Sequence, residues 1–533
     1  MRIENEKILL ISIDNPSAKV DIFIGFRKII VTFSVILRIY NYQFSIHPLE
    51  VQDLLKQYAA HPQVAALNTL LKNKTSRNIF LKGLNGSGAA MTIASLFSKR
   101  RGSYVCVLND LEDAGYFYHD LVQLTGGDGI YFFPSAYRRA IKYGHVDPAN
   151  EILRTEVLST LQDPTAPFII VTYPEALAEK VISREVLKEN TLKISVGERL
   201  DNMFVSDVLD EYGFEQVDYV YEPGQYAMRG SILDVFSFSY EFPYRIDFFG
   251  NEVETIRSFD VETQLSKEKL DSIYIVPEMT KGNRTNSSLL DSLPSETLLA
   301  SKDMAWVKER IGSIWNEEPI IGDEESFANI EQLRAKLITG EDFLHAALGF
   351  CRLHFGTRPM EVADATLTFS MEAQPIYHKN FDLVSESFRK YLEDGYTLYI
   401  LSDVEKQATR IRAIFEDRGD DIPFTSVNKT IHEGFADETL RVCLFTDHQL
   451  FDRFHKFNLK SDKARSGKLS LSLKELNQFT TGDYIVHIDH GVGQFGGLVR
   501  TEVNGKMQEA IRLIYQNNDI IFVSIHSLHK LSK

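Results

Sequence analysis

The chain has 533 residues, 44% of them hydrophobic and 25% charged, which is ordinary for globular protein and too long for one core, so roughly three to five domains are expected. With 58 basic and 74 acidic residues the net charge is −16. That excludes a chain-wide nucleic-acid surface, which needs clustered Lys and Arg, and makes other proteins the easier class of partner. Cys106, Cys351 and Cys443 form neither a CxxC pair nor a His/Cys zinc spacing, so no metal centre is expected. Cys106 and Cys443 sit in apolar strand-like runs and read as buried free thiols, which points to a cytoplasmic location.

Residues 1–45 read as an appendage, consistent with a start codon placed too early. Ile22–Tyr40 is apolar but carries Arg27, Lys28 and Arg38. A membrane span would bury those charges at a cost of several kcal/mol each, so no membrane association is expected.

Residues 46–175 alternate strand and helix. Val51–Leu71 has the spacing of one amphipathic helix. Asn78–Lys82 is a short apolar strand, Gly83–Gly88 a glycine-rich turn, and Met91–Phe97 returns to helical spacing. Strand, glycine loop, helix is the order of a phosphate-binding loop, in which backbone N–H groups and a helix N-terminus face the anion. Gly83, four residues and Gly88 fit its spacing. The next two positions should be Lys, for the outer phosphates, and Ser or Thr, for magnesium; they are Ala89 and Ala90. The loop of Gly83, Gly86, Gly88, Ala89 and Ala90 is therefore expected to keep the shape without binding ATP. An ordinary turn between a strand and a helix fits it as well. Further strands at Ser103–Leu108, Gly129–Phe133 and Phe168–Thr172, with helices at Leu111–Leu124, Pro148–Leu161 and Pro174–Val181, predict a parallel, doubly wound sheet.

Within residues 176–262 the period shortens to strands at Leu192–Val196, Glu215–Tyr221, Tyr226–Met228, Ile232–Phe236, Tyr244–Phe249 and Val253–Phe259. One helix, Glu198–Tyr212, interrupts them. This predicts an α+β insert on an antiparallel sheet. Residues 263–375 return to the first domain, with a loop at Thr280–Pro294 and helices at Trp306–Trp315 and Glu341–Phe350. Residues 376–460 read as a small α/β domain, with strands Thr397–Leu401 and Leu440–Phe445, helices Phe381–Leu392 and Asp403–Arg418, and the amphipathic segment Gln449–Phe457. Residues 461–477 are a basic, polar linker. Residues 478–533 predict a small SH3-like β-barrel, with Leu498–Val503 and Met507–Ile514 joined by Asn504-Gly505, a strong hairpin signal.

Other motifs carry less. The GxGxxG at Gly491–Gly496 precedes a strand, not a helix, so it reads as a barrel turn and not a dinucleotide loop. His487, Asp489 and His490 lack an evident fourth metal ligand. Arg229–Asp234 and Tyr244–Phe249 alternate charge with aromatics, a pattern that suits a solvated sheet face or a protein-docking face. No serine triad, paired-carboxylate spacing or HExxH helix occurs, so no catalytic residues are expected.

From about His47 onwards the chain resembles the N-terminal half of the bacterial transcription-repair coupling factors, the Mfd family. NIFLKGLNGSGAA resembles the degenerate nucleotide loop of their UvrB-homology module. YEPGQYAMRGSILDVFSF and YRIDFFGNEVETIRSFD resemble the insert shared with UvrB. GDYIVHIDHGVGQFGGL and YQNNDIIFVSIHSLHKLS are similar to the CarD-like domain. The resemblance implies an α/β multidomain chain that couples stalled RNA polymerase to nucleotide excision repair. Its insert would dock the damage-recognition subunit UvrA through Arg229, Asp247 and Phe249. Ala227 and Gln216 stand where UvrB carries further arginines. An edge strand at Val499, Arg500, Thr501 and Glu502 would lie on the polymerase β subunit.

In the family an ATP-driven DNA translocase follows the CarD-like domain. The chain, ending at Lys533, is therefore expected to need neither ATP nor magnesium and to contact DNA weakly or not at all. The resemblance also implies that a C-terminal domain masks the UvrA-docking face, so a chain without it should bind UvrA constitutively. A UvrB-like helicase subunit that binds ATP and a CarD-like regulator that binds polymerase alone are the alternative readings.

Overall fold

A computed structural model describes residues 19–24, 27–32, 50–136, 148–162, 166–261, 263–277, 285–316, 334–359, 362–453, 455–457, 459, 480–487, 490–503, 506–516, 519–524 and 531–532. The chain divides into two compact units. One comprises Met1–Tyr58, Asn85–Ser87 and Met371–His455; the other comprises Ala59–Leu84, Gly88–Ser370 and Lys456–Lys533. Among the described residues no helix is long and apolar enough to cross a membrane.

The larger unit is built on a seven-stranded sheet in the order Ala365–Thr368, Asn78–Lys82, Cys351–His354, Leu298–Ser301, Ser103–Val107, Phe168–Thr172, Ile130–Phe132. Every pairing in it is parallel. Parallel strands need crossover helices on both faces, which explains why Phe168–Thr172 is buried along its whole length. The strands up to Thr172 fall where the sequence places them, whereas Leu298–Ser301, Cys351–His354 and Ala365–Thr368 have no counterpart in the sequence pattern, and the expected helix Val51–Leu71 is two, Val51–Ala59 and Pro62–Asn73. Pro62 starts the second, where its missing N–H costs nothing, and His61 caps it by accepting from the Gln63 N–H at 3.0 Å. Thr280–Pro294, expected as a loop, contains the short strand Thr285–Ser287 and a capped 3₁₀ turn at Leu289–Ser292.

The insert has a six-stranded sheet in the order Ser266–Leu270, Glu252–Phe259, Tyr244–Phe249, Ile232–Val235, Gln225–Arg229, Glu215–Gln216. It is antiparallel except for its last pair. Glu215–Tyr221, expected as one strand, pairs over two residues only. Alternation sends Tyr226, Leu233, Val235, Tyr244, Ile246, Phe248, Val253 and Ile256 to one face. There they form a core with Val205 and Leu209 of the helix Asn202–Glu211. Ala227, Phe236 and Phe259, on the other face, pack with Ile152 of the helix Pro148–Gln162.

The C-terminal residues of this unit form a five-stranded antiparallel sheet, in the order Ile520–Ser524, Lys506–Ile514, Gly491–Val503, Tyr484–His487, Leu531–Ser532. Gly491–Gly497 lies within a strand and not in the expected turn. Gly493 is there to admit the Tyr515 ring, 3.0 Å from where a Cβ would stand.

The smaller unit has a mixed five-stranded sheet in the order Met371–Ala373, Phe435–Asp437, Val442–Thr446, Thr397–Leu401, Thr425–Val427. Helices Phe381–Glu393 and Glu405–Asp417 contribute Phe388, Ile411 and Phe415 to its core. The amphipathic segment Gln449–Phe457 begins in the single helical turn Asp447–Leu450. A hairpin of Lys19–Ile24 and Arg27–Thr32 occurs in the expected appendage. Cys106 and Cys443 are buried free thiols, as their apolar runs predict. The linker at 461–477 lies outside the described residues.

Candidate protein-docking sites

The glycine loop is a tight turn whose backbone has been committed to the protein itself. Gly83 has φ +83°, and a Cβ there would stand 2.2 Å from the Phe369 carbonyl oxygen. Gly86 has φ +53°, and its Cβ would stand 2.7 Å from the Gly434 carbonyl oxygen. Only glycine fits either position. The Ser87 N–H donates to the Glu433 carbonyl at 3.0 Å, the Glu433 N–H donates to Ser87 Oγ at 3.0 Å, and the Asn85 amide donates to the Met371 carbonyl at 2.7 Å. A phosphate loop turns such N–H groups towards its ligand. Ser87 is buried and spends its own on a neighbouring chain segment. Ala90 is buried and Ala89 half-buried, and neither supplies a cation or a hydroxyl. Sequence reasoning found the loop and its missing side chains but not Glu433, which is remote in the chain.

The insert brings Arg229 and Asp247 onto one sheet face. Register pairs Arg229 with Ile232, Ala227 with Asp234, Asp234 with Arg245, Arg245 with Arg257, and Asp247 with Ile232 and Thr255. At the centre is Asp234, whose side chain is 1% exposed. Arg245 grips it with two hydrogen bonds, Nε to Oδ1 at 2.7 Å and Nη2 to Oδ2 at 2.8 Å. The Arg229 Nη2 also donates to Asp234 Oδ2. A buried carboxylate is tolerated only when paired and bonded in this way. The hydrogen bond to Asp234 holds the Arg245 guanidinium above its usual range.

Arg229 further donates to the Asp218 carbonyl at 2.9 Å and lies over the Tyr219 ring at 4.8 Å. Its side chain keeps 35% exposure. Asp247 accepts from Thr255 Oγ1 at 2.6 Å and from Arg257 Nη2 at 2.7 Å. Phe249, at the hairpin tip, is 79% exposed. The face thus carries three arginines against two aspartates, and the register sets the pre-positioned Arg229 guanidinium level with Asp247, at the same strand end as the exposed Phe249. Of the two positions where the resemblance leads one to expect arginines, Ala227 is buried in the packing with Ile152 and Gln216 is exposed on the outermost strand.

The C-terminal sheet places Val499–Glu502 in the far half of the strand Gly491–Val503. One side of that half pairs with Lys506–Ile514, Val499 with Ala510 and Glu502 with Met507. On its other side the strand Tyr484–His487 reaches only Gly491–Gln494. Among the described residues no strand pairs with Leu498–Val503 there. A strand edge without a partner offers its backbone donors and acceptors to an added strand. Val503 pairs with Lys506, leaving two residues for the hairpin connection. Those two residues, Asn504 and Gly505, and the side chains of Arg500, Thr501 and Glu502 lie outside the described residues. His487 is buried, with its ring 4.6 Å from that of His490.

Residues 192–280 match the UvrB interaction domain, and residues 479–533 match the CarD-like/TRCF RID domain. The chain is similar to the transcription-repair-coupling factor of Staphylococcus aureus (strain bovine RF122 / ET3-1), with 22% identity over 538 residues that cover 86% of this chain and 45% of the relative. The protein of that name from Bacillus subtilis (strain 168) is 21% identical, covering 85% of this chain and 45% of the relative. The chain spans about half the length of these curated relatives. With the two domain matches in this order and over this length, the chain resembles the N-terminal half of the transcription-repair-coupling factors.

Proposed function

We propose that this chain is an adaptor of transcription-coupled nucleotide excision repair, binding UvrA through the insert face and the β subunit of RNA polymerase through the open strand edge at Val499–Glu502. The observation that carries the reading is the sheet face itself. Buried Asp234 holds two arginines in place, so Arg229 meets a partner with its geometry already set and little side-chain entropy left to lose. An acidic group on UvrA would share the Arg229 guanidinium, and Phe249 would enter an apolar pocket beside it. Arginine and aromatic anchors of this kind dominate binding energy in protein interfaces. On the polymerase side, strand addition supplies the affinity through main-chain hydrogen bonds, and side chains of alternate residues tune the fit.

The glycine loop is a structural joint in this reading. It offers no Lys and no hydroxyl, and Ser87 is bonded to Glu433. These residues themselves neither bind nor hydrolyse ATP, and they make little or no contact with DNA. Binding of purified UvrA and of polymerase to the full chain tests the proposal. Arg229→Ala should weaken UvrA alone and Thr501→Arg should weaken polymerase alone. Polymerase binding without UvrA binding would favour a transcription regulator. Saturable ATP binding would favour a UvrB-like helicase subunit.

A further inference from the structure

The helix Asn202–Glu211 carries a further surface feature. Its inward residues Val205 and Leu209 are in the insert's core, yet its first turn exposes Met203 at 71% and Phe204 at 52%. The segment before it is laced to the tip of the Phe249 hairpin. Gly197 N–H donates to the Val253 carbonyl at 2.8 Å, Val253 N–H to Glu198 at 2.9 Å, and Leu200 N–H to Asn251 at 2.8 Å. Arg199 and Glu252 form a β-bridge. Three large exposed apolar side chains, Met203, Phe204 and Phe249, are thereby brought to the same end of the insert.

Singly exposed apolar residues need no explanation, but three gathered at one end do. The segments that carry them are acidic. From Gly197 to Gly213 the chain carries one base, Arg199, against Glu198, Asp201, Asp207, Asp210 and Glu211, and the hairpin adds Glu252 and Glu254. Arg229, opposite Ile232 and so level with Asp247, is at this same strand end but on the sheet face turned away from the helix. The two faces that meet at this end therefore differ, cationic on the side of Arg229 and apolar-acidic on the side of the helix.

We infer that Met203 and Phe204 extend the docking face around the hairpin tip, and that the partner bound through Arg229 presents to this end an apolar pocket rimmed by Lys and Arg. This rests on the UvrA reading proposed above and adds its orientation: acidic groups of the partner lie over Arg229, and basic ones over Asp207 and Glu211. Buried apolar anchors supply the affinity, while rim charges steer association and reject the reversed orientation.

The test measures association and dissociation of purified UvrA on the immobilised full chain. It compares the unaltered chain, Arg229→Ala, the double variant Met203→Ser/Phe204→Ser, and the double variant Asp207→Lys/Glu211→Lys, each checked for unchanged circular dichroism. Surface residues are changed throughout, and Phe204→Ser alone serves where the double variant is unfolded. The expected results are a loss of affinity of at least ~10-fold for the apolar variant and slower association, corrected by added salt to a smaller difference, for the charge reversal. If the apolar variant binds within about twofold of the unaltered chain while Arg229→Ala weakens binding, the tip is outside the interface and only this inference falls. If the unaltered chain does not bind UvrA, the UvrA reading falls and this inference with it. Self-association of the unaltered chain in sedimentation, lost in the apolar variant, would assign the patch to a second copy and overturn the inference.

Discussion

Ser87 and Glu433 are joined by two hydrogen bonds, Ser87 N–H to the Glu433 carbonyl and Glu433 N–H to Ser87 Oγ, both at 3.0 Å. The glycine loop therefore lacks more than the side chains of a nucleotide site. The double substitution Ala89→Lys/Ala90→Ser restores the motif but leaves Ser87 committed, and we expect it not to restore ATP binding. Titration with a fluorescent ATP analogue should give no saturation below about 1 mM, a free energy weaker than about −4 kcal/mol. Tight, magnesium-dependent binding by that variant would contradict the account.

Asp234 is the residue on which the insert face depends. Asp234→Asn leaves Arg229 and Arg245 sharing a neutral amide in a site that is 1% exposed at its centre. Removing one partner of a buried pair costs about 3–5 kcal/mol. Arg229→Ala, with its side chain a third exposed and Arg245 still in place, should cost about 1 kcal/mol or less. Urea unfolding followed by circular dichroism separates the two; equal effects would show that Arg245 alone does not satisfy Asp234.

Gly83→Ala should destabilise the parallel-sheet domain by more than about 2 kcal/mol. A left-handed φ costs an alanine about 1–2 kcal/mol, and its methyl would stand 2.2 Å from the Phe369 carbonyl oxygen. Thermal unfolding that leaves the midpoint unchanged would mean that the loop can relax away from Phe369.

Two histidines set an acid limit. Burial pushes His354 and His448 down from about 6.5 to about 4. The unfolded chain takes up each proton at higher pH than the folded one. Their contribution is therefore full above about pH 6.5 and is lost as the pH falls towards 4, by up to about 3 kcal/mol for each. His354→Gln should flatten the fall in stability between about pH 6.5 and 5 relative to the unaltered chain. An unchanged slope would show that His354 titrates normally.

Much of the architecture follows from local pattern. Strands such as Phe168–Thr172, Tyr244–Phe249 and Thr397–Leu401 have the bounds their apolar runs predict, since burial and alternation decide them locally. The break at His61–Pro62 is legible from proline chemistry, although the helical period continues across it. The shortness of Glu215–Gln216 is not legible, because pairing depends on a partner strand that a segment's own residues do not specify. For the sites, Arg229 and Asp247 could be placed on one face from strand alternation. The grip of Asp234 on two arginines, the bond of Ser87 to Glu433 and the exposure of Met203 and Phe204 are tertiary facts with no local signature. The nearest signal was an apolar pair in Asn202–Glu211 that falls outside the period of its core residues.

The central claim is that one chain carries two separate protein-docking sites. The most direct measurement is capture of purified UvrA and of the RNA polymerase β subunit by the immobilised chain, with Arg229→Ala and Thr501→Arg run alongside. The account predicts that the unaltered chain retains both partners, that Arg229→Ala loses UvrA and keeps polymerase, and that Thr501→Arg does the reverse. Retention of neither partner by a correctly folded chain, or loss of both with either single substitution, would contradict it.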